Sequence, residues 1–187
     1  DDPTLVVKLS DGAVIPANRH VDLYQDKAAW QARIDNFYAP YNQAIETAIE
    51  GAQAQDMAPI ILSVHSFTPD WRGAKRPWQA AVLWDKDDRL KRVIDAYMHH
   101  LPDIIYGDNT PYTGRLKNDC LYRHGTQNGL AHALIELRQD GIETPAAQAK
   151  WAAHMVAILR EAASMPALVE RNYIGSIHDA GKAINQD

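Results

Sequence analysis

The chain has 187 residues, 46% of them hydrophobic and 23% charged, and a formal net charge of -5. That composition describes a single globular domain over 1–187, long enough to bury a substantial core, and it excludes a disordered chain. The acidic balance and the want of a dense Lys/Arg stripe exclude nucleic acid as an expected partner, and no apolar run approaches the roughly 18 residues of a membrane span. Cys120 is the one cysteine, so no internal disulfide forms, and Asp1-Asp2-Pro3-Thr4 has neither the basic nor the apolar stretch of a signal peptide. Both features suit a cytoplasmic protein.

In chain order, Asp11-Gly12 and Pro16-Ala17-Asn18 are turn chemistry, so the first twenty-odd residues read as an irregular lead-in. Trp30, Ile34, Phe37, Tyr41, Ile45, Ala48 and Ala52 recur at steps of three or four, which predicts one apolar helix face over Lys27 to Gln53. Pro40 should break or kink that helix near Ala39. Ile60 to Val64 and Ala80 to Trp84 read as buried strands. Asp87 or Asp88 can cap a helix whose inner face is Leu90, Val93, Ile94, Tyr97 and Leu101. Ile104 to Tyr106 is a short strand, and Gly107 to Gly129 a long polar loop of the kind that often serves function. Ala131 to Arg138 is the last strand. Thr144 as N-cap and Pro145 behind it open a helix with Trp151, Met155, Ile158, Leu159 and Ala162 inward. The alternation predicts an α/β fold with strands buried on both faces.

Two positions carry chemistry. The apolar run into Val64 meets His65 and then breaks into Ser66-Phe67-Thr68-Pro69, and ligands gather outside the carboxyl ends of strands in open α/β sheets. Glu136 lies inside the apolar run Ala131 to Arg138, where an ionised carboxylate is costly unless it is paired or put to work. Together they point to a metal-dependent hydrolase. The plainer alternatives are a hydrogen-bonded core histidine at 65 and a Glu136 paired with Arg138 or with a helix residue. His132 and Glu136 share a strand face but lie ~13 Å apart, too far to share a metal. Zinc needs three protein ligands plus an open position, and His65 has no local partner at ligand spacing. Cys120 and His124, four apart in the long loop, have nothing nearby to complete a nucleophilic site. The loop residues Arg72, Arg76 and Arg123 carry the group suited to binding carboxylates.

The segments HSFTP (65–69), RPW (76–78) with AVLWDKDDRL (81–90), DNTPYTG (108–114), RHGTQNGL (123–130) and IELRQD (135–140) resemble, in this order and spacing, the N-formylglutamate amidohydrolase family. The resemblance runs from about Ser10 to Ala162. More distantly the chain is similar to the zinc carboxypeptidases, which implies a mixed, mostly parallel sheet flanked by helices. The family hydrolyses N-formyl-L-glutamate to formate and L-glutamate in histidine degradation, so the resemblance implies a small N-acyl amino acid as substrate and one zinc ion as cofactor. It matches His65 to a zinc ligand and Glu136 to the carboxylate that activates water. Arg76, Asn109, Tyr112 and His124 match positions that line the substrate pocket, while Arg138 would hold Glu136 or the sheet.

Members of the family carry, before the residues matching Ser10-Asp11-Gly12, an early strand, an Asp-His pair that supplies a first metal ligand, and an Asn-Arg motif. The expectation is therefore an N-terminally incomplete fold whose remaining zinc ligands lie upstream of Asp1. The 187 residues alone would then be inactive and prone to self-association. The alternative is a non-catalytic binding module that keeps the fold without a complete metal site.

Overall fold

The structure is a computed structural model that describes residues 9–10, 13–14 and 26–179. Strands β1 (Leu9–Ser10) and β2 (Ala13–Val14) pair antiparallel, Leu9 opposite Val14. The lead-in therefore contains a short ladder, while the turn residues Asp11-Gly12 and Pro16-Ala17-Asn18 lie outside the described residues.

Helix α1 (Lys27–Arg33) is capped by Asp26, whose carboxylate accepts the Ala29 N–H at 2.9 Å. The helical chain does not break at Pro40. A wider π turn over Ile34–Tyr38 leads into α2 (Ala39–Gln53), with Pro40 in its first turn. Proline is accommodated there because the turn before it is widened: the Ala39 N–H bonds back five residues to the Ile34 carbonyl, which leaves room for the ring that would clash in a regular α turn. The inserted residue of a π turn also rotates one helix relative to the other, so the expected continuous stripe is lost. Phe37 is 73% exposed and Tyr41 57%, and α2 buries only Asn42 and Ile49.

Strand β3 (Ile61–Phe67) follows, then a small hairpin of β4 (Asp70–Trp71) and β5 (Ala74–Lys75). Arg72 and Gly73, both at positive φ, make its two-residue turn, the conformation that matches strand twist. Strand β6 (Ala80–Leu83), helix α3 (Arg89–Met98), strand β7 (Tyr106–Asp108), strand β8 (His132–Arg138) and helix α4 (Pro145–Ser164) complete the frame. Asp87 rather than Asp88 accepts a backbone N–H at the start of α3, from Arg89 at 3.1 Å. Thr144 caps α4 through the Ala147 N–H at 3.2 Å.

The main sheet runs β3–β8–β6–β7. β3 with β8 and β6 with β7 are parallel, and β6 with β8 antiparallel. It is a mixed, mostly parallel sheet flanked by helices. Side chains alternate across it, and the two faces differ. Ala133, Ile135 and Leu137 of β8 join Leu90, Val93 and Ile94 of α3 and Trp151, Met155 and Ile158 of α4 in the main core. The opposite face carries Leu134 and Glu136 beneath the 107–129 segment. The expectation of strands buried on both faces holds for β6 and β8 but not for β3. Among the described residues β3 bonds only to β8 within the sheet, and its Val64 is 52% exposed.

Candidate active site

Register places the two principal candidates together. His65 lies directly opposite Glu136 in the parallel β3–β8 pair, and Ala81 is the cross-strand neighbour of Glu136 on its other side. The His65 Nδ1 stands 3.9 Å from Glu136 Oε1, beyond hydrogen-bond length. His65 does not end its strand, since β3 runs on to Phe67.

Both residues line a cavity of about 740 Å³ on the face away from α3 and α4. Glu136 is only 6% exposed, and its Oε2 is buried without a hydrogen-bond partner among the described residues. Burial pushes its carboxyl up to about 7, against the nearby Arg76 charge, which holds it down. The His65 side chain is 54% exposed, and its partial burial lowers its pKa. The pairing of Glu136 with Arg138 does not form. Arg138 instead bonds Asp140 at 2.7 Å and the Arg76 and Pro77 carbonyls at 2.9 and 3.1 Å, so it ties the sheet end to the 76–77 segment.

Asn109 and Tyr112 also line the cavity. Asn109 sits at φ 46° and knits the wall: its Oδ1 accepts from the Trp84 and Gly114 N–H groups at 3.1 and 2.9 Å, and its Nδ2 donates to the Trp84 carbonyl at 3.1 Å. Gly114 is pressed onto the end of β6, where a Cβ would come within 2.3 Å of the Trp84 nitrogen. Arg76 is not on the wall. It is 9% exposed, donates to the Tyr112 hydroxyl at 3.0 Å and to Thr68, and lies against the rings of Phe67, Trp71 and Tyr112. The guanidinium thus stands one layer behind Tyr112.

His124 is likewise off the cavity. It is 2% exposed, and its Nε2 meets Asn42 Oδ1 of α2 at 2.7 Å. Arg123 lies against the Tyr38 ring, and Arg72 over Trp71. Cys120 lines the cavity with its thiol 3.9 Å from the Tyr41 hydroxyl, and burial raises its pKa. Among the described residues no hydrogen bond joins it to His124, whose Nε2 is taken by Asn42. His132 is bonded within the core, to the Leu130 carbonyl and Thr126 hydroxyl.

Sequence reasoning missed Asp119, Ser63 and the leucines that line the cavity, Leu83, Leu121 and Leu134. Asp119 is pushed up to about 6, chiefly by burial, although its carboxylate accepts the Tyr122 N–H at 2.7 Å. Its place in a polar loop leaves no periodic signal, whereas Ser63 and Leu134 could have been found by counting two residues back from His65 and Glu136. Among the described residues no three His, Cys, Asp or Glu side chains converge as metal ligands, so these residues do not by themselves complete a zinc site.

No curated protein sequence matches the chain. The fold is similar to the crystal structure of a gene product from Agrobacterium tumefaciens, at 27% identity and a TM-score of 0.74, over 88% of this chain and 64% of that one. It is also similar to N-formylglutamate amidohydrolase from Ralstonia eutropha JMP134, at 20% identity and a TM-score of 0.52, over 72% of this chain and 53% of that one. The latter likeness is one of fold. The chain spans less than two thirds of the length of either. The five motifs sit on this fold in the predicted order, two of them meeting at the His65–Glu136 pair. The family model for N-formylglutamate amidohydrolase matches residues 1–143, and the chain therefore belongs to the N-formylglutamate amidohydrolase family.

Proposed function

We propose that the protein hydrolyses the amide bond of an N-acyl amino acid, with N-formyl-L-glutamate as the first substrate to test and Glu136 as the general base. The observation that carries this reading is the Glu136 carboxyl: buried, with one oxygen unpartnered among the described residues, pushed up to about 7, and facing a cavity beside His65. A structural carboxylate is normally satisfied by donors, because leaving it bare is costly. One poised near neutral pH can both take and return a proton.

In this reading water enters the cavity and loses a proton to Glu136 as its oxygen bonds the amide carbon. Glu136 then delivers that proton to the departing nitrogen as the C–N bond breaks. Asn109 holds the wall against the end of β6, and Tyr112 presents its hydroxyl between the cavity and Arg76. The Arg76 charge attracts the carboxylates of the substrate through that layer. His124 takes no part in binding here, since it is spent on Asn42.

Zinc belongs to the proposal through the family, with His65 as its ligand. Because the described residues supply no set of three ligands, no step is routed through the ion. The experiment is formate release from N-formyl-L-glutamate by the purified zinc-loaded protein, with any residues that precede Asp1 in place, and by Glu136→Gln in the same background. Release by the first and its loss in the second is the expected result, and equal release by both would remove Glu136 from the reaction.

A further inference from the structure

The floor of the cavity is built from two rows of cross-strand neighbours. In one row His65, Glu136 and Ala81 stand side by side, and in the next Ser63, Leu134 and Leu83 do so. The rows are two residues apart along each strand, or ~7 Å. Leu121 packs on Leu83 and Leu134 in a cluster separate from the main core, all three of them 2–8% exposed. Beyond Glu136 in the other direction lies the Phe67–Arg138 row, with the Arg76 guanidinium 5.8 Å from the Phe67 ring. Polarity therefore runs one way along the floor: a cation behind one end, the carboxylate and imidazole in the middle, leucines at the other end.

We infer that the leucine row is a chamber for the acyl group, and that the site takes N-acyl amino acids whose acyl chain is longer than formyl. This rests on the amide-hydrolysis reading above and adds a direction to it. A substrate carboxylate laid on Leu83, Leu121 and Leu134 would lose its hydration and find no charged donor, so the amino-acid end points toward Arg76. The acyl end then lies over the leucines. A formyl group has no carbon beyond its carbonyl and leaves that row untouched. A straight acyl chain reaches it, and each methylene buried there is worth roughly fourfold in binding. The reaction balances as any amide hydrolysis does. Water oxygen bonds the acyl carbon, the C–N bond breaks, the nitrogen leaves as the amine of the amino acid, and the chain leaves as a carboxylate.

The test is a series of N-formyl-, N-acetyl-, N-butanoyl- and N-hexanoyl-L-glutamate, read as kcat/KM of the purified protein. Butanoyl or hexanoyl exceeding formyl by more than tenfold is the expected result, and a ratio of tenfold or less overturns the chamber. In Leu134→Phe, which fills the row, the hexanoyl-to-formyl ratio should fall at least tenfold. That ratio cancels any loss of folded protein, and if it stays unchanged the chamber is not where we place it. If no member of the series is hydrolysed, the amide-hydrolysis reading itself fails. Calorimetric binding of formate, butanoate and hexanoate then decides the chamber alone: affinity rising along the series supports it, and a flat series overturns it.

Discussion

His65 and Glu136 face each other across the parallel β3–β8 pair, Nδ1 and Oε1 3.9 Å apart, the one 54% exposed in its side chain and the other almost fully enclosed. The contact joins residues 71 positions apart in sequence. It depends on strand register, because slipping β3 by one residue would turn His65 to the other face of the sheet. The shared row gives the cavity one enclosed acid–base group and one accessible imidazole. The two residues therefore make separable predictions.

For Glu136, the conservative change to Gln keeps the size of the side chain and removes the proton acceptor. We expect turnover of N-formyl-L-glutamate to fall by about two to four orders of magnitude, the usual reach of general acid–base catalysis, with a circular dichroism spectrum like that of the parent. Turnover within a few-fold of the parent would exclude the assigned role.

For His65, loss of the imidazole should lower bound zinc, measured by elemental analysis after dialysis against trace metal. Its half-exposed side chain contributes little to packing, so His65→Ala should shift the stability of the metal-free protein by no more than about 0.5 kcal/mol. A large loss of stability with unchanged zinc would show a structural histidine instead.

How much of this could be read from residues alone follows from what periodicity reports. The inner faces of α3 and α4 were legible because Leu90, Val93, Ile94, Trp151, Met155 and Ile158 recur at helical spacing, and β8 because its apolar run is bounded by turns. Periodicity tells which face is buried, but not by what. The run into Val64 reads the same whether its strand is central or at the rim, and among the described strands β3 is at the rim. Pro40 signals a disturbance without saying that a π turn will absorb it four residues upstream. Motif matching brought His65, Glu136, Asn109 and Tyr112 to one cavity. It could not separate them from Arg76 and His124, because a charged or polar residue looks alike in sequence whether it meets a ligand or a side chain such as Tyr112 or Asn42.

The His124–Asn42 bond yields a stability prediction. It joins two buried groups across 82 positions and anchors α2, which buries little else. His124→Ala or Asn42→Ala should each cost about 1–3 kcal/mol in chemical denaturation, because each strands a buried polar partner. The double variant should cost clearly less than the sum. Additive losses would mean that the bond carries no coupling.

Asp119 yields a pH prediction. Its folded pKa, about 6, lies above the ordinary 3.8, so the folded chain holds that proton more tightly than the unfolded one. The contribution to stability is fully present below the ordinary value and is lost as pH rises through about 6. Asp119→Asn keeps an oxygen for the Tyr122 N–H and cannot ionise. In melts at several pH values the variant should gain on the parent between pH ~4 and ~7, and a constant difference would refute the assignment.

Gly114 sets the breadth of the cavity by what it lacks. Its α-carbon rests so close to the Leu83–Trp84 peptide that even a methyl group would overlap the backbone, and β6 is the more rigid of the two surfaces because β7 and β8 hold it on either side. A substitution there would be relieved by the outer segment, lifting Tyr112 and Asp119 away from Glu136 together. Position 114, itself on the cavity lining, is thus a place where the floor and roof of the cavity can be moved apart while His65 and Glu136 stay as they are, and divergence there would alter which molecules the cavity admits.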